Sequence, residues 1–145
     1  NISYDTIDLN SPLAKIKADI CNLPLEDNMY DFILCNHVLE HIDDDIKAMS
    51  ELYRVLKKGG IGIFQIPIDI NRDKTFEDSS IKNPKERNKV FGQYDHVRIY
   101  GTDYYDRLRS VGFSVEQVKY SDNLTKDEIK KYCLSSTEII PVCKK

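Results

Sequence analysis

A chain of 145 residues, 41% of them hydrophobic and 31% charged, is expected to fold as one globular domain. The net charge of −3 gives no attraction to phosphate backbones or anionic lipid, so we expect neither nucleic acid nor membrane as a partner. Apolar runs such as residues 61–64 are far shorter than the roughly 20 residues that span a bilayer. Four cysteines without a C-x-x-C pair predict reduced thiols in a cytoplasmic protein.

The first part of the chain predicts strands separated by turns. Short strands are expected at residues 4–9 and 13–18, followed by turn-forming residues and a strand at 30–36. The run from Phe32 to Cys35 is apolar without alternation. This pattern predicts a central strand, buried on both faces of a parallel sheet.

A helix is expected from about Asp44 to Lys57. Aspartates 43–45 provide N-caps and favourable charge at the positive end of the helix dipole. Two glycines at 59–60 end the helix, and the next strand is expected at 61–67. One apolar stripe is predicted along the helix, formed by Ile46, Met49, Tyr53 and Leu56.

The second half repeats the alternation of helices and strands. We expect a short helix at 83–91, a helix that Thr102 caps and Gly112 closes, a strand at 113–120, a helix with the capping box Thr125/Glu128, and a strand-rich end at 137–144. The polar stretch 69–89 is interpreted as an insertion within one domain. The predicted class is α/β, with helices covering a mostly parallel sheet.

His37, Glu40 and His41 match the zinc-protease pattern H-x-x-E-H. Metal binding by that pattern needs both histidines on one face of a helix. Here the five residues join a buried strand to a helix that starts at the aspartates, and no downstream motif supplies a third ligand. We therefore expect no metal ligands in this chain.

Several linked motifs resemble one family. Three segments follow one another along the chain: DICNLPLEDNMYD, HVLEH and ELYRVLKKGG. Their order and spacing resemble those of the class I S-adenosylmethionine-dependent methyltransferases, in particular the small-molecule, methyltransferase-11-like branch. The resemblance is strong over about residues 4–67 and weaker over GQYDHVRIYG and RLRSVGFSV.

The resemblance implies a Rossmann-like three-layer sandwich with a seven-stranded sheet whose last strand is antiparallel. Strands at 4, 13, 30, 61, 113 and 136 would match the second to the seventh. The family's glycine-rich D/E-x-G-x-G turn after the first strand has no counterpart here. We therefore expect residues 1–145 to be a single domain, the C-terminal portion of a methyltransferase domain that lacks its first strand and helix.

The resemblance also implies S-adenosylmethionine as the cofactor and assigns its contacts. These are Asp8 and Leu9 at the ribose, Asp19 and Ile20 at the adenine, and Asn36, His37 and Val38 beside the methionine part and the methyl-transfer channel. The competing interpretations are a solvated strand-end Asp8, a structural Asp19 and an Asn36 that only stabilises its loop. Glu40 and His41 are expected to order the turn into the helix.

His37 and His96 are the candidates for a catalytic base that deprotonates a hydroxyl acceptor. Arg98 is a candidate for pairing an acidic group of the substrate. The competing interpretation is that His96 and Arg98 brace the polar insertion.

The function expected from these residues is methyl transfer to an unidentified small-molecule acceptor, by a chain that is incomplete as an enzyme. A non-catalytic methyltransferase-like interaction module is the alternative. A different nucleotide-binding α/β enzyme would need a loop such as G-x-x-x-x-G-K-[ST], which this sequence lacks. Without the family's first strand, we expect either a rearranged sheet or a homo-oligomer built through the exposed sheet edge.

Overall fold

The computed structural model describes residues 2–145. Its strands are β1 (Ile7–Asp8), β2 (Ile16–Lys17), β3 (Tyr30–Leu34), β4 (Leu56–Ile63), β5 (Phe76–Glu77), β6 (Arg98–Ile99), β7 (Ser114–Val118) and β8 (Ile140–Lys144). The helices are α1 (Asp45–Val55), α2 (Pro84–Phe91), α3 (Tyr104–Ser110) and α4 (Lys126–Lys131), with 3-10 helices at Leu39–His41 and Tyr120–Asn123. None of these helices is long and apolar enough to cross a membrane.

The main sheet has four strands in the order β3-β4-β8-β7. Strands β3 and β4 are parallel, whereas β8 pairs antiparallel with both β4 and β7. Three of the four strands therefore run in one direction and only the last strand of the chain is reversed. This arrangement confirms the α/β class and the reversed last strand that the resemblance implies.

Strands β1 and β2 pair in parallel as a separate two-stranded sheet. Two contacts fix its position beside the main sheet. The hydroxyl of Tyr30, the first residue of β3, donates to Asp5 Oδ2 at 2.9 Å, just before β1. The thiol of Cys21, just after β2, lies 3.5 Å from the carbonyl oxygen of Asp44, at the start of α1. The starts of β1 and β3 are thus neighbours, and the segment after β2 meets the segment after β3.

The central position predicted for β3 is wrong, because β3 lies at an edge of the main sheet. Within residues 2–145 only β4 pairs with it, and the predicted gap between β1 and β3 stays open. Ile33 and Cys35 point into the core, but Phe32 and Leu34 on the opposite face are 50% and 62% exposed. An apolar run shows that a strand has residues suited to burial on both faces, but it does not show that other elements cover both faces. The second helical layer of the expected sandwich is not formed over this face by the described residues.

Helix α1 begins at the predicted place but ends at Val55, and the two glycines expected to stop it lie inside β4, which starts at Leu56. Asp44 is the N-cap, and its Oδ1 accepts a hydrogen bond from the Lys47 amide at 2.9 Å. The predicted apolar stripe is partly wrong, since Ile46 is exposed. The buried face is formed by Ala48, Met49, Leu52 and Val55, of which the first three pack into one core cluster with residues of α3.

The remaining helices follow their capping signals, with one exception. Asn83 caps α2, and the reciprocal capping box of Thr125 and Glu128 forms at α4 as predicted. The N-cap of α3 is Asp103, not Thr102. The Asp103 side chain bonds Thr75 instead of its own helix, so it joins the polar insertion to α3.

A buried ion network connects α1 to the second half of the chain. The carboxylate of Asp45 accepts hydrogen bonds from the Tyr100 hydroxyl at 2.6 Å and from the Arg107 guanidinium, and Arg98 Nη2 lies 3.9 Å away. Burial raises the pKa of Asp45, but the bonds from Arg107 and Tyr100 outweigh it and hold that pKa below its usual value. Asp45 therefore stays ionised in the core and joins α1 to α3 and β6.

Candidate functional site

The first two acidic candidates lie at the ends of β1 and β2, Asp8 as the last residue of β1 and Asp19 two residues after β2. Asp8 Oδ1 accepts hydrogen bonds from the amides of Asn10 at 2.7 Å and Ser11 at 2.6 Å, which turn the chain at the end of β1. The bonds from Ser11 and then Asn10 hold the pKa of Asp8 below its usual value. The Asp8 side chain is exposed and ionised, and the bonds described use one of its two oxygens.

Asp19 is exposed two residues after β2, and its Oδ1 accepts a bond from the Cys21 amide at 2.8 Å. The thiol of Cys21 is not a nucleophile near neutral pH, because burial and then the charge of Asp19 raise its pKa to about 11. Ile20 is half-buried against the core and Leu9 is exposed. Asp8 and Asp19 thus present two carboxylates at the carboxyl ends of a parallel pair of strands.

Asn36 and His37 follow β3 and are fixed to the segment after β4. Asn36 Oδ1 accepts from the Gln65 amide at 3.1 Å, and the His37 amide donates to the Gln65 carbonyl at 2.8 Å. His37 adopts a left-handed backbone conformation with φ of 56°, which costs energy in any residue except glycine. Its side chain is 64% exposed as a result of this turn, while Val38 packs against the core.

Glu40 is buried, being only 2% exposed, on the 3-10 helix that follows His37. Its Oε1 lies 3.4 Å from His37 Nδ1, and its Oε2 has no hydrogen-bond partner among residues 2–145. A carboxylate oxygen of Glu40 and one ring nitrogen each of His41 and His96 lie within 4.8 Å of one another. Glu40 therefore has a histidine neighbour on either side, and the sequence predicted neither arrangement.

Arg98 is buried and structural, which supports the bracing interpretation over substrate pairing. Its guanidinium donates to the carbonyls of Leu39, Ile42 and Asp43 and to the carboxylate of Glu77 at 2.9 Å. The Leu39 carbonyl belongs to the first residue of the 3-10 helix, and those of Ile42 and Asp43 lie between that helix and α1, so Arg98 ties the 3-10 helix to the segment that leads into α1. Its hydrogen-bonding groups are engaged inside the protein.

Two clefts lie nearby, and His96 contributes to one of them. A cleft of about 250 Å³ is lined by the side chains of Glu40, His96, Phe91 and Asp69 among others. A second, of about 330 Å³, lies on the other side of Arg98, towards Asp78. Neither is lined by any of the implied cofactor contacts, which are Asp8, Leu9, Asp19, Ile20, Asn36, His37 and Val38. The structure thus brings His96 to Glu40 and His41, in a cleft that Asp8 and Asp19 do not line.

The sequence contained only part of the signal for this cluster. H-x-x-E-H marked Glu40 and His41, but it paired them with His37 instead of His96. The missing information was tertiary, since the amide of Val97 bonds the carbonyl of Glu40 at 3.0 Å and so places His96 beside the 3-10 helix.

Comparison with known proteins agrees with this topology. The family model described as "Methyltransferase domain" matches residues 4–64. The malonyl-[acyl-carrier protein] O-methyltransferase of Nitrosospira multiformis is 30% identical over 123 residues, which is 82% of this chain and 37% of that protein. Across the curated relatives that it matches, the chain spans between 19% and 60% of their length.

Solved structures show the same fold at low sequence identity. The S-adenosylmethionine-dependent methyltransferase from Mesorhizobium loti is 15% identical, with a TM-score of 0.58, over 94% of this chain and 76% of that one. The structure of PigF with SAH is 18% identical, with a TM-score of 0.57, over 90% and 35%. Residues 4–64 thus carry a methyltransferase-domain sequence, and the chain has the fold of the class I S-adenosylmethionine-dependent methyltransferases.

Proposed function

We propose that the protein carrying this chain transfers a methyl group from S-adenosylmethionine to a small-molecule acceptor. The observation that carries the proposal is the family match over residues 4–64, which contains the acidic residue that ends β1, the one after β2 and the polar pair after β3. Ligands of open α/β sheets bind beyond the carboxyl ends of the strands, where these residues lie.

The neighbouring ends of the two sheets support one shared site. Tyr30 and Asp5 bring the starts of β1 and β3 together, and Cys21 and Asp44 bring the segments after β2 and β3 together. The two sheets are therefore held side by side, and the carboxyl ends of their strands face a common region.

The donor chemistry of this chain fits the cofactor. Asp8 and Asp19 are exposed carboxylates, and each uses its Oδ1 for the turn that positions it. By the resemblance, Asp8 would accept hydrogen bonds from the ribose hydroxyls and Asp19 from the adenine amino group. Asn36 and His37 would flank the methionine part.

When bound, S-adenosylmethionine supplies a sulfonium methyl that is already activated for transfer. The chain's task is then to hold the acceptor in line and to take its proton where the acceptor is a hydroxyl. His37 suits this role because it is exposed after β3 and Glu40 Oε1 lies 3.4 Å from its Nδ1. An Nδ1–H directed at Glu40 leaves Nε2 to accept the proton. His96 is the second candidate for the same role, on the other side of Glu40.

Equilibrium binding of S-adenosylmethionine to the full-length product of the gene tests the proposal. We expect Asp8→Ala and Asp19→Ala each to weaken binding by roughly tenfold or more, since a hydrogen bond to a charged group contributes about 1.5–3 kcal/mol. Asp31→Ala is the matched control, because this aspartate is 84% exposed at the opposite end of β3 and its ion-pair partner is Lys57. Circular dichroism of each variant checks its fold.

Binding that is lost equally in all three variants, or unchanged in all three, would contradict the assignment of Asp8 and Asp19. A full-length protein that folds but does not bind the cofactor would favour the interaction-module alternative. Methyl transfer itself is measured as the S-adenosylhomocysteine released in the presence of candidate acceptors. We expect His37→Ala to lower the rate of methyl transfer by a larger factor than it weakens cofactor binding.

A further inference from the structure

Glu40, His41 and His96 form a cluster, and the methyl-transfer roles proposed for single residues do not explain why these three side chains meet. One potential ligand atom from each residue lies within 4.8 Å of the other two. The rings of His41 and His96 are in edge-to-face contact, with centroids 4.7 Å apart and an interplanar angle of 81°. The three side chains come from two segments that the backbone bond from Val97 to Glu40 holds together.

The carboxylate of Glu40 is not fully satisfied by the protein. Glu40 is 2% exposed, and its Oε2 is buried without a hydrogen-bond partner among residues 2–145. A buried carboxylate oxygen that lacks a partner is costly and calls for an explanation, one of which is a missing ion. This observation is independent of the clustering, and it points to a cation.

Asp95 adds an arrangement that is typical of metal-binding histidines. His41 Nδ1 lies 3.3 Å from Asp95 Oδ2. A carboxylate that accepts from one nitrogen of an imidazole fixes its tautomer and leaves the other nitrogen free to bind a metal. Asp95 is itself oriented by Gln93, whose amide donates to its Oδ1 at 2.9 Å.

Two imidazoles and one carboxylate are ligands for a first-row transition ion such as Zn²⁺. Mg²⁺ and Ca²⁺ prefer oxygen ligands alone. Metal–ligand distances of about 2.0–2.2 Å place neighbouring ligand atoms roughly 3.3–3.5 Å apart in a tetrahedral site. The cluster must therefore contract by at most about 1.5 Å on binding, which the partly exposed rings of His41 and His96 permit.

We propose that Glu40, His41 and His96 bind one divalent transition-metal ion, with Asp95 orienting His41. The site is distinct from the H-x-x-E-H arrangement of a zinc protease. In that pattern His37 and His41 bind the metal and the glutamate activates water. Here Glu40 is a ligand, His96 replaces His37, and the cleft beside His96 leaves room for water at the remaining positions. Metal binding does not depend on the proposed methyl transfer.

Titration of the chelator-treated chain with Zn²⁺, and with Co²⁺ as a spectroscopic probe, tests this site. We expect one ion per chain, Co²⁺ absorption bands in the visible range, and no displacement by excess Mg²⁺. His41→Ala and His96→Ala should each weaken binding by at least tenfold, and Asp95→Ala by roughly tenfold to 100-fold. Since Glu40 is buried, Glu40→Gln is the variant of choice at that position, with circular dichroism to check its fold.

His37→Ala is the control, because His37 is a histidine neighbour of Glu40 that lies outside the cluster. It should bind Zn²⁺ as the wild type does. Zn²⁺ should also raise the melting temperature of the wild type and of His37→Ala, but not that of His96→Ala. The proposal is overturned if no stoichiometric binding occurs, if binding survives His96→Ala, or if it is lost on His37→Ala.

Discussion

Replacing Asp45 with asparagine should destabilise the fold strongly. The substitution keeps the size of a buried side chain but removes the negative charge that faces Arg107 and Arg98. Tyr100 keeps an oxygen acceptor, so the loss is mainly that of a counter-charge for two guanidinium groups.

The magnitude follows from the burial of the partners. Removing one member of a buried ion pair costs about 3–5 kcal/mol. Arg107 is 22% exposed and can regain water, and Arg98 keeps Glu77 and three carbonyls as partners. We therefore expect Asp45→Asn to lower the free energy of unfolding by about 2–3 kcal/mol. That is a large share of the roughly 5–15 kcal/mol that stabilises a typical domain.

Urea unfolding followed by circular dichroism at pH 7 measures this loss. Asp31→Asn is the control, because its pair with Lys57 is exposed and should contribute at most about 1 kcal/mol. A loss below about 0.5 kcal/mol for Asp45→Asn, or one equal to that of the control, would refute the inferred role of the network.

The same variant predicts a dependence on pH. The pKa of Asp45 is lower in the folded than in the unfolded chain, where an aspartate has a pKa of about 3.9. The contribution of ionised Asp45 to the free energy of unfolding is thus fully present above about pH 5 and is lost as the pH falls through the folded-state pKa. The stability difference between wild type and Asp45→Asn should narrow from pH 5 downwards. A difference that stays constant down to pH 2 would contradict the lowered pKa.

Three further predictions concern the site and the surface. Titration calorimetry of the 145-residue chain should detect little or no S-adenosylmethionine binding, because β1 and β3 are not joined in one sheet. A chain extended upstream through a glycine-rich turn should bind the cofactor at micromolar strength, about −8 kcal/mol. Tight binding by the shorter chain would show that its cofactor contacts are complete. Sedimentation velocity should show self-association of the wild type through the edge at β3 and a monomer for Leu34→Lys; a monomeric wild type would exclude that interface. Gly101→Ala should cost about 1–3 kcal/mol in urea unfolding, since its Cβ would lie 2.5 Å from the Arg72 carbonyl oxygen, while the exposed neighbour Thr102→Ala should change stability by less than about 0.5 kcal/mol.

Elements with local end signals were predicted well. The N-cap at Asp44 and the capping box at Thr125 place the starts of α1 and α4 within a residue, because these interactions lie within one turn of the chain. The edge position of β3 was not predictable in the same way. Hydrophobicity records what a strand can bury, whereas its position in the sheet depends on which other strands are present to pair with it.

The candidate site shows the same limit. The polar residues after β1, β2 and β3 were recognisable from short motifs, and the structure finds them at strand ends. His96 could not be paired with His41, because the 54 intervening residues contain the polar insertion and no local pattern specifies their path. Substrate pairing by Arg98 was a reasonable hypothesis for a charged residue in a tyrosine-rich loop. The structure shows instead that Arg98 is buried and hydrogen-bonded within the protein.

Arg98 also explains how the least informative part of the sequence affects the candidate site. Its guanidinium joins the carbonyls of Leu39 and Asp43, which flank Glu40 and His41, to Glu77 in the polar insertion. The insertion is therefore held to the segment that carries the methyl-transfer candidate His37 and two residues of the proposed metal site, Glu40 and His41. A change in the insertion that removes Glu77 leaves Arg98 without its closest carboxylate, so that three carbonyls and the more distant Asp45 must then hold a buried cation. The geometry around Glu40 thus depends on Glu77, a residue of the insertion that belongs neither to the implied cofactor contacts nor to the proposed metal site.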